Sequence, residues 1–147
     1  MQLINRGKVT LCKTTVAAGA ADITDASVVD MQGFTGVQFI FSFGTITAGA
    51  ATSVAASGLA TSSPTPGTDD IAGSKVTVAD TDDDSVVVMD IYKPTQRYIR
   101  PFVKRATQNA VLNSIIAIQY GPEVMPVTHD ASVHGTKTLV SPANGTA

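Results

Sequence analysis

Three groups of residues in this chain are of types that carry chemistry. Asp80, Asp82 and Asp84 fall at alternate positions, as at the opening of a calcium-binding loop. An EF-hand loop needs glycine at its sixth position and glutamate at its twelfth. Ser85 and Ile91 stand there instead. The run therefore reads as a turn between strands whose carboxylates cap nearby backbone N–H groups. His129 and His134 lie in a proline-containing tail, with Asp130 adjacent and the single Cys12 far away in sequence. Zinc asks for three or four ligands in fixed geometry, which this set does not supply. Arg97, Arg100, Lys104 and Arg105 gather four of the ten basic residues into one short segment. Such a cluster can dock on an acidic protein surface or on phosphates. Only Tyr98 and Phe102 interleave with it and the net charge is −2, which favours a protein surface. No Gly-x-Ser-x-Gly turn and no glycine-rich phosphate loop is present. We expect no catalytic residues, no metal and no cofactor, hence a protein that is not an enzyme.

The segments that position these residues read as strands. Residues 85–92, 97–105 and 111–120 form three consecutive runs rich in β-branched and aromatic side chains, separated by Lys93–Gln96 and a polar turn at 107–109. Period-two patterning with close turn signals predicts an antiparallel meander. In the third run Leu112, Ile116, Ile118 and Tyr120 are expected on one face, with Ser114 the polar member. Val37, Phe39, Phe41 and Phe43 alternate with Gln38, Ile40, Ser42 and Gly44, so three of the five phenylalanines share a face. Burying each is worth roughly 2–3 kcal/mol before entropy is counted. That face should be the floor of the core rather than an aromatic ligand box. Further strands are expected over 8–16, 28–31, 48–57 and 75–78. Ala17–Asp22 reads as a small-residue loop, and Gly58–Asp70, with its Pro64-Thr65-Pro66-Gly67, as an exposed flexible one.

At 147 residues the chain makes one domain with a real core. Charged residues are 15% of it, well under the usual quarter, so much of its surface should meet other protein. A net charge of −2 gives no drive toward nucleic acid or anionic membrane, and no apolar run is long enough to span a bilayer. One cysteine excludes an intrachain disulfide. The first residues lack the apolar region of a secretory signal. After Tyr120 the chain turns to proline and polar clusters with scattered Val124, Met125, Val127, Val133, Leu139 and Val140. Such a segment cannot build its own core and should lie extended on something else. The expected organisation is an N-terminal arm over 1–7, a β-sandwich domain over 8–121 and an extended C-terminal arm over 122–147.

Several strings together resemble a known group. Val28-Val29-Asp30-Met31, Gly36-Val37-Gln38-Phe39-Ile40-Phe41-Ser42-Phe43-Gly44 and Val76-Thr77-Val78-Ala79-Asp80-Thr81-Asp82-Asp83 are similar to small virion proteins of tailed bacteriophages. Tyr98-Ile99-Arg100-Pro101-Phe102-Val103 and Ile116-Ala117-Ile118-Gln119-Tyr120-Gly121 continue the likeness, which covers about residues 22–127. The resemblance implies a capsid decoration, or cement, protein, made in the host cytoplasm and seated on the outer surface of the phage head. It implies the major capsid protein as partner and self-association, often as a homotrimer. It transfers no catalytic motif. The expected fold is all-β, an antiparallel β-sandwich, jelly-roll-like, with about eight strands and extended N- and C-terminal arms. Expected capsid or subunit contacts are Arg97, Arg100, Lys104 and Arg105 with Val124, Met125, Val127, Leu139 and Val140. The alternative function is a head-fibre or tail component that binds host carbohydrate. The absence of tryptophan weighs against it, because sugar platforms use exposed aromatic rings.

Overall fold

The computed structural model describes residues 2–49, 51–105, 109–140 and 145. A short 3-10 turn, Leu3–Asn5, leads into nine strands. They are β1 (Gly7–Lys13), β2 (Val16–Gly19), β3 (Val29–Asp30), β4 (Phe34–Ile46), β5 (Thr52–Leu59), β6 (Val76–Val78), β7 (Val86–Tyr92), β8 (Tyr98–Lys104) and β9 (Ala110–Pro122). One sheet has the order β1-β9-β4-β7, with β2 continuing the line of β1 along β9. The other has the order β3-β8-β5-β6. All pairings are antiparallel.

If β2 is counted with β1, eight strands remain. They pair first with eighth (β1–β9), second with seventh (β3–β8), third with sixth (β4–β7) and fourth with fifth (β5–β6). That is one long hairpin wound into two facing sheets, the jelly roll. The fold is thus the all-β sandwich that the strand patterning predicts.

Val37, Phe39, Phe41 and Phe43 point between the sheets and are fully buried. Val54, Ala56, Ile99 and Val103 face them from the second sheet. Gln119 on β9 is a buried polar residue that crosses the gap. It donates its side-chain N–H to the Asp30 carbonyl on β3 at 2.7 Å. Burial excludes water, so this bond satisfies a group that would otherwise cost about 1–3 kcal/mol.

Four expectations are corrected. The runs over 85–120 are not a meander, because β7 and β9 lie in one sheet and β8 in the other. Turn spacing fixes where strands end, while distant partners decide which sheet each joins. The expected face of β9 also shifts. Opposite Ser42–Phe43 the partner skips from Ser114 to Leu112, so Asn113 is an extra, bulged residue. Beyond it Ile115, Ala117 and Gln119 turn inward with Leu112, while Ile116, Ile118 and Tyr120 turn outward. Residues 17–19 of the expected small-residue loop belong to a strand, Val16–Gly19. Residues 58–70 are tied down rather than loose, since Asp69 accepts the Thr65 N–H at 2.8 Å and Asp70 accepts from Gly67 N–H and the Ser57 hydroxyl. Apart from Asn109, the polar turn expected at 107–109 lies outside the described residues. So does the arm beyond Val140, Gly145 excepted.

Candidate interaction surfaces

The acidic turn is a clamp. Asp83 accepts the Ile46 N–H and Asp80 the Gly49 N–H, each at 2.6 Å, and Asp82 accepts the Ala79 N–H at 2.9 Å. Asp83 and Asp80 therefore hold the end of β4 and the turn after it, while Asp82 closes its own turn. Among the described residues no group of three acidic, His or Cys side chains converges as metal ligands would.

The four cations on and beside β8 part company. Arg97 makes a two-pronged ion pair with Asp30, with Nε and Nη2 each 2.8 Å from a carboxylate oxygen, and its guanidinium lies 4.9 Å from the Tyr98 ring centre. That pair holds the Asp30 carboxyl below its ordinary value. Arg100 is half-buried and donates to the Thr24 carbonyl at 3.4 Å. Lys104 lies with its Nζ 5.8 Å from the Phe102 ring centre. Arg105 is buried, and its guanidinium donates to the carbonyls of Ala17, Ala21 and Ala110 at 2.6–2.9 Å. Its backbone N–H donates to Asp22 at 2.9 Å. Arg105 thus fastens the β2 region to the start of β9.

The tail after β9 lies along the free edge of β1. The Val127 N–H donates to the Asn5 carbonyl and the Asp130 N–H to the Val9 carbonyl, at 3.1 and 3.2 Å. The Val9 N–H donates to His129 Nδ1 at 3.2 Å, and the Leu11 N–H to the Ser132 hydroxyl at 3.0 Å. Asp130 in turn accepts both the N–H and the hydroxyl of Ser132, which holds its carboxyl below the ordinary range. His129 and Asp130 therefore serve as edge caps. Val127 is half-buried, whereas Val124, Met125, Leu139 and Val140 are exposed.

Sequence reasoning missed one surface. The outer face of the five-stranded sheet carries a cross-strand row of Leu11, Ile116, Ile40 and Val88. Beside it lies the row of Val9, Ile118, Gln38 and Asp90. The row ends exposed at β7, where Val86, Val88 and Tyr92 are 60%, 52% and 61% accessible. The signal is present in the sequence: apart from Asp90, β7 is apolar or aromatic at both parities, which a strand with one solvated face has no reason to be. On the same face the Tyr120 ring lies over Gly36, where a Cβ would come within 2.3 Å of it, and its hydroxyl donates to Asp90 at 2.8 Å. Burial and the Asp90 carboxylate push the Tyr120 hydroxyl up to about 12.

No protein-family model matches the chain, and no curated protein matches it at a significant level.

Proposed function

We propose that this protein is a capsid decoration protein, which binds the outer surface of a phage head through the major capsid protein and stabilises the shell. The distribution of apolar side chains carries this reading. Val124, Met125, Leu139 and Val140 on the arm and Val86, Val88 and Tyr92 on the outer face of β7 are large and exposed. A monomer with so few charges gains nothing from exposing them, whereas an adhesive shell component buries them in every copy. A decoration protein performs no chemistry. Each bound copy stabilises the assembled shell over its separated subunits by mass action. Several of the groups able to do chemistry here hold backbone instead: His129 on β1, Asp80 and Asp83 at the end of β4 and the turn after it, and Asp82 in its own turn.

The resemblance to phage virion proteins over residues 22–127 supports the same reading, as does the jelly roll, a fold common in capsid domains. Homotrimers are the expected assembly, with arms exchanged between copies. The test is co-sedimentation of the purified protein with empty phage shells that lack it. Saturable binding that raises the melting temperature of the shell is expected. Absence of binding, together with tight binding to host polysaccharide, would move the protein to the fibre or tail class.

A further inference from the structure

The two long edges of the five-stranded sheet are treated differently. The β1 edge is covered by residues 127–132 of the tail. The β7 edge is bare: among the described residues, none outside β4 hydrogen-bonds to its backbone. Sheet proteins guard such edges with lysine, proline, a bulge or very short strands. From Val86 to Tyr92 there is no lysine and no proline, and the register against β4 runs unbroken from Gly36–Tyr92 to Ser42–Val86. A groove lined by Ile71, Val76, Val88 and Tyr92 runs beside this edge.

We propose that β7 is the seat for residues 136–140 of the C-terminal arm of a second copy, added antiparallel as a further strand. The arm has the matching pattern. Thr136-Lys137-Thr138-Leu139-Val140 is exposed throughout, with Lys137 and Leu139 on one parity and Thr136, Thr138 and Val140 on the other. With Lys137 opposite Asp90, Leu139 falls opposite Val88 on the outer face. Thr136, Thr138 and Val140 then fall opposite Ile91, Met89 and Val87 on the inner one. The register joins the one anion of β7 to the one cation of the segment and sets the exposed Leu139 beside the exposed Val88. A slip of one residue would turn Lys137 inward among Met89 and Ile91, and strand register is firmly set where such a slip would bury a charge.

The donor must be another molecule. Ser132 is bonded to Leu11 on β1. Neighbouring strands are about 4.8 Å apart, so a strand added beyond β7 lies five spacings, about 24 Å, from the tail on β1. Thr136 follows Ser132 by four residues, which span at most about 14 Å. A chain cannot reach its own β7 with this segment. The contact joins two different surfaces, so it closes into a ring when the rotation between copies allows.

This rests on the arm exchange within the proposed function and names its seat. The test uses the full-length purified protein without any shell, so its failure would leave shell binding untouched. Val88→Cys and Leu139→Cys are introduced together, both at exposed positions, and the protein is oxidised gently. A disulfide between copies, seen as covalent oligomers on a non-reducing gel, is expected. The shifted pair Val86→Cys with Leu139→Cys should cross-link at least tenfold less. In parallel, Asp90→Lys or Lys137→Asp alone should weaken self-association in sedimentation by at least tenfold, and the double exchange should restore it. A disulfide within one chain, equal cross-linking of both pairs, no cross-link in a folded protein, or charge exchanges without effect would each overturn the proposal.

Discussion

Arg105 offers the sharpest test of how this sandwich is held together. Replacing it with methionine keeps most of the apolar stem and removes a guanidinium that donates to three carbonyls at 2.6–2.9 Å. Those carbonyls belong to Ala17, Ala21 and Ala110, so the substitution frees the β2 region from β9. A hydrogen bond to a charged group contributes about 1.5–3 kcal/mol net. Three such bonds, at about 2 kcal/mol each, give a figure of about 6 kcal/mol. Against this stands the desolvation of a buried cation, several kcal/mol that methionine does not incur. The difference leaves a net loss of about 2–4 kcal/mol. For a chain of this size that is a fall in melting temperature of roughly 6–14 °C. Arg105→Lys should lose nearly as much, because one ammonium cannot span the arc that a planar fork reaches. The assay is urea unfolding with the slope checked for constancy, backed by calorimetry. Neither variant should change the salt dependence of stability, since no carboxylate among the described residues pairs with the guanidinium. A loss below about 1 kcal/mol for Arg105→Met would refute the claim that this residue fastens the two elements.

Three further outcomes are expected. Gly36→Ala puts a Cβ within 2.3 Å of the Tyr120 ring, so it should cost about 1–3 kcal/mol and break the Tyr120–Asp90 bond; in a Tyr120→Ala background the extra cost should nearly vanish in denaturant titrations. The Asp130 carboxyl is depressed by its bonds to Ser132, so its contribution is present above the unfolded value, about pH 4, and is lost as pH falls through the lower folded value. Hydrogen exchange at Leu11, whose N–H donates to the Ser132 hydroxyl that Asp130 holds, normalised to intrinsic rates, should therefore rise in acid in the native protein and be insensitive to acid in Asp130→Asn. Burial, and after it the charge of the Asp130 carboxylate, pushes the Cys12 thiol up to about 12. At pH 8 it should react with an alkylating reagent roughly a thousandfold more slowly in the folded protein than in urea, and equal rates would contradict its placement.

What the sequence reveals follows from the range over which each feature is determined. The phenylalanine face of β4 is legible because period-two alternation is local and its residues are large. The inward face of β9 is not, because the bulge at Asn113 flips parity midway and nothing in Leu112-Asn113-Ser114-Ile115 marks which residue is extra. The assignment of β7, β8 and β9 to alternating sheets depends on β4 and β5, some fifty residues upstream, so adjacent runs mislead. Among the candidate contacts, an arginine in a basic run reads as surface, and only the fold shows that Arg105 closes over three carbonyls. The tail's apolar residues were visible from composition. Their division into Val127, drawn against Asn5, and Leu139 with Val140, left outside, required the position of the β1 edge.

The number of copies in a purified virion, counted by quantitative mass spectrometry against the major capsid protein, tests the central claim most directly. A decoration protein repeats with the shell, so hundreds of copies per particle are expected, in fixed ratio to the capsid subunits. About a dozen copies, or a ratio that follows a tail protein instead, would contradict it.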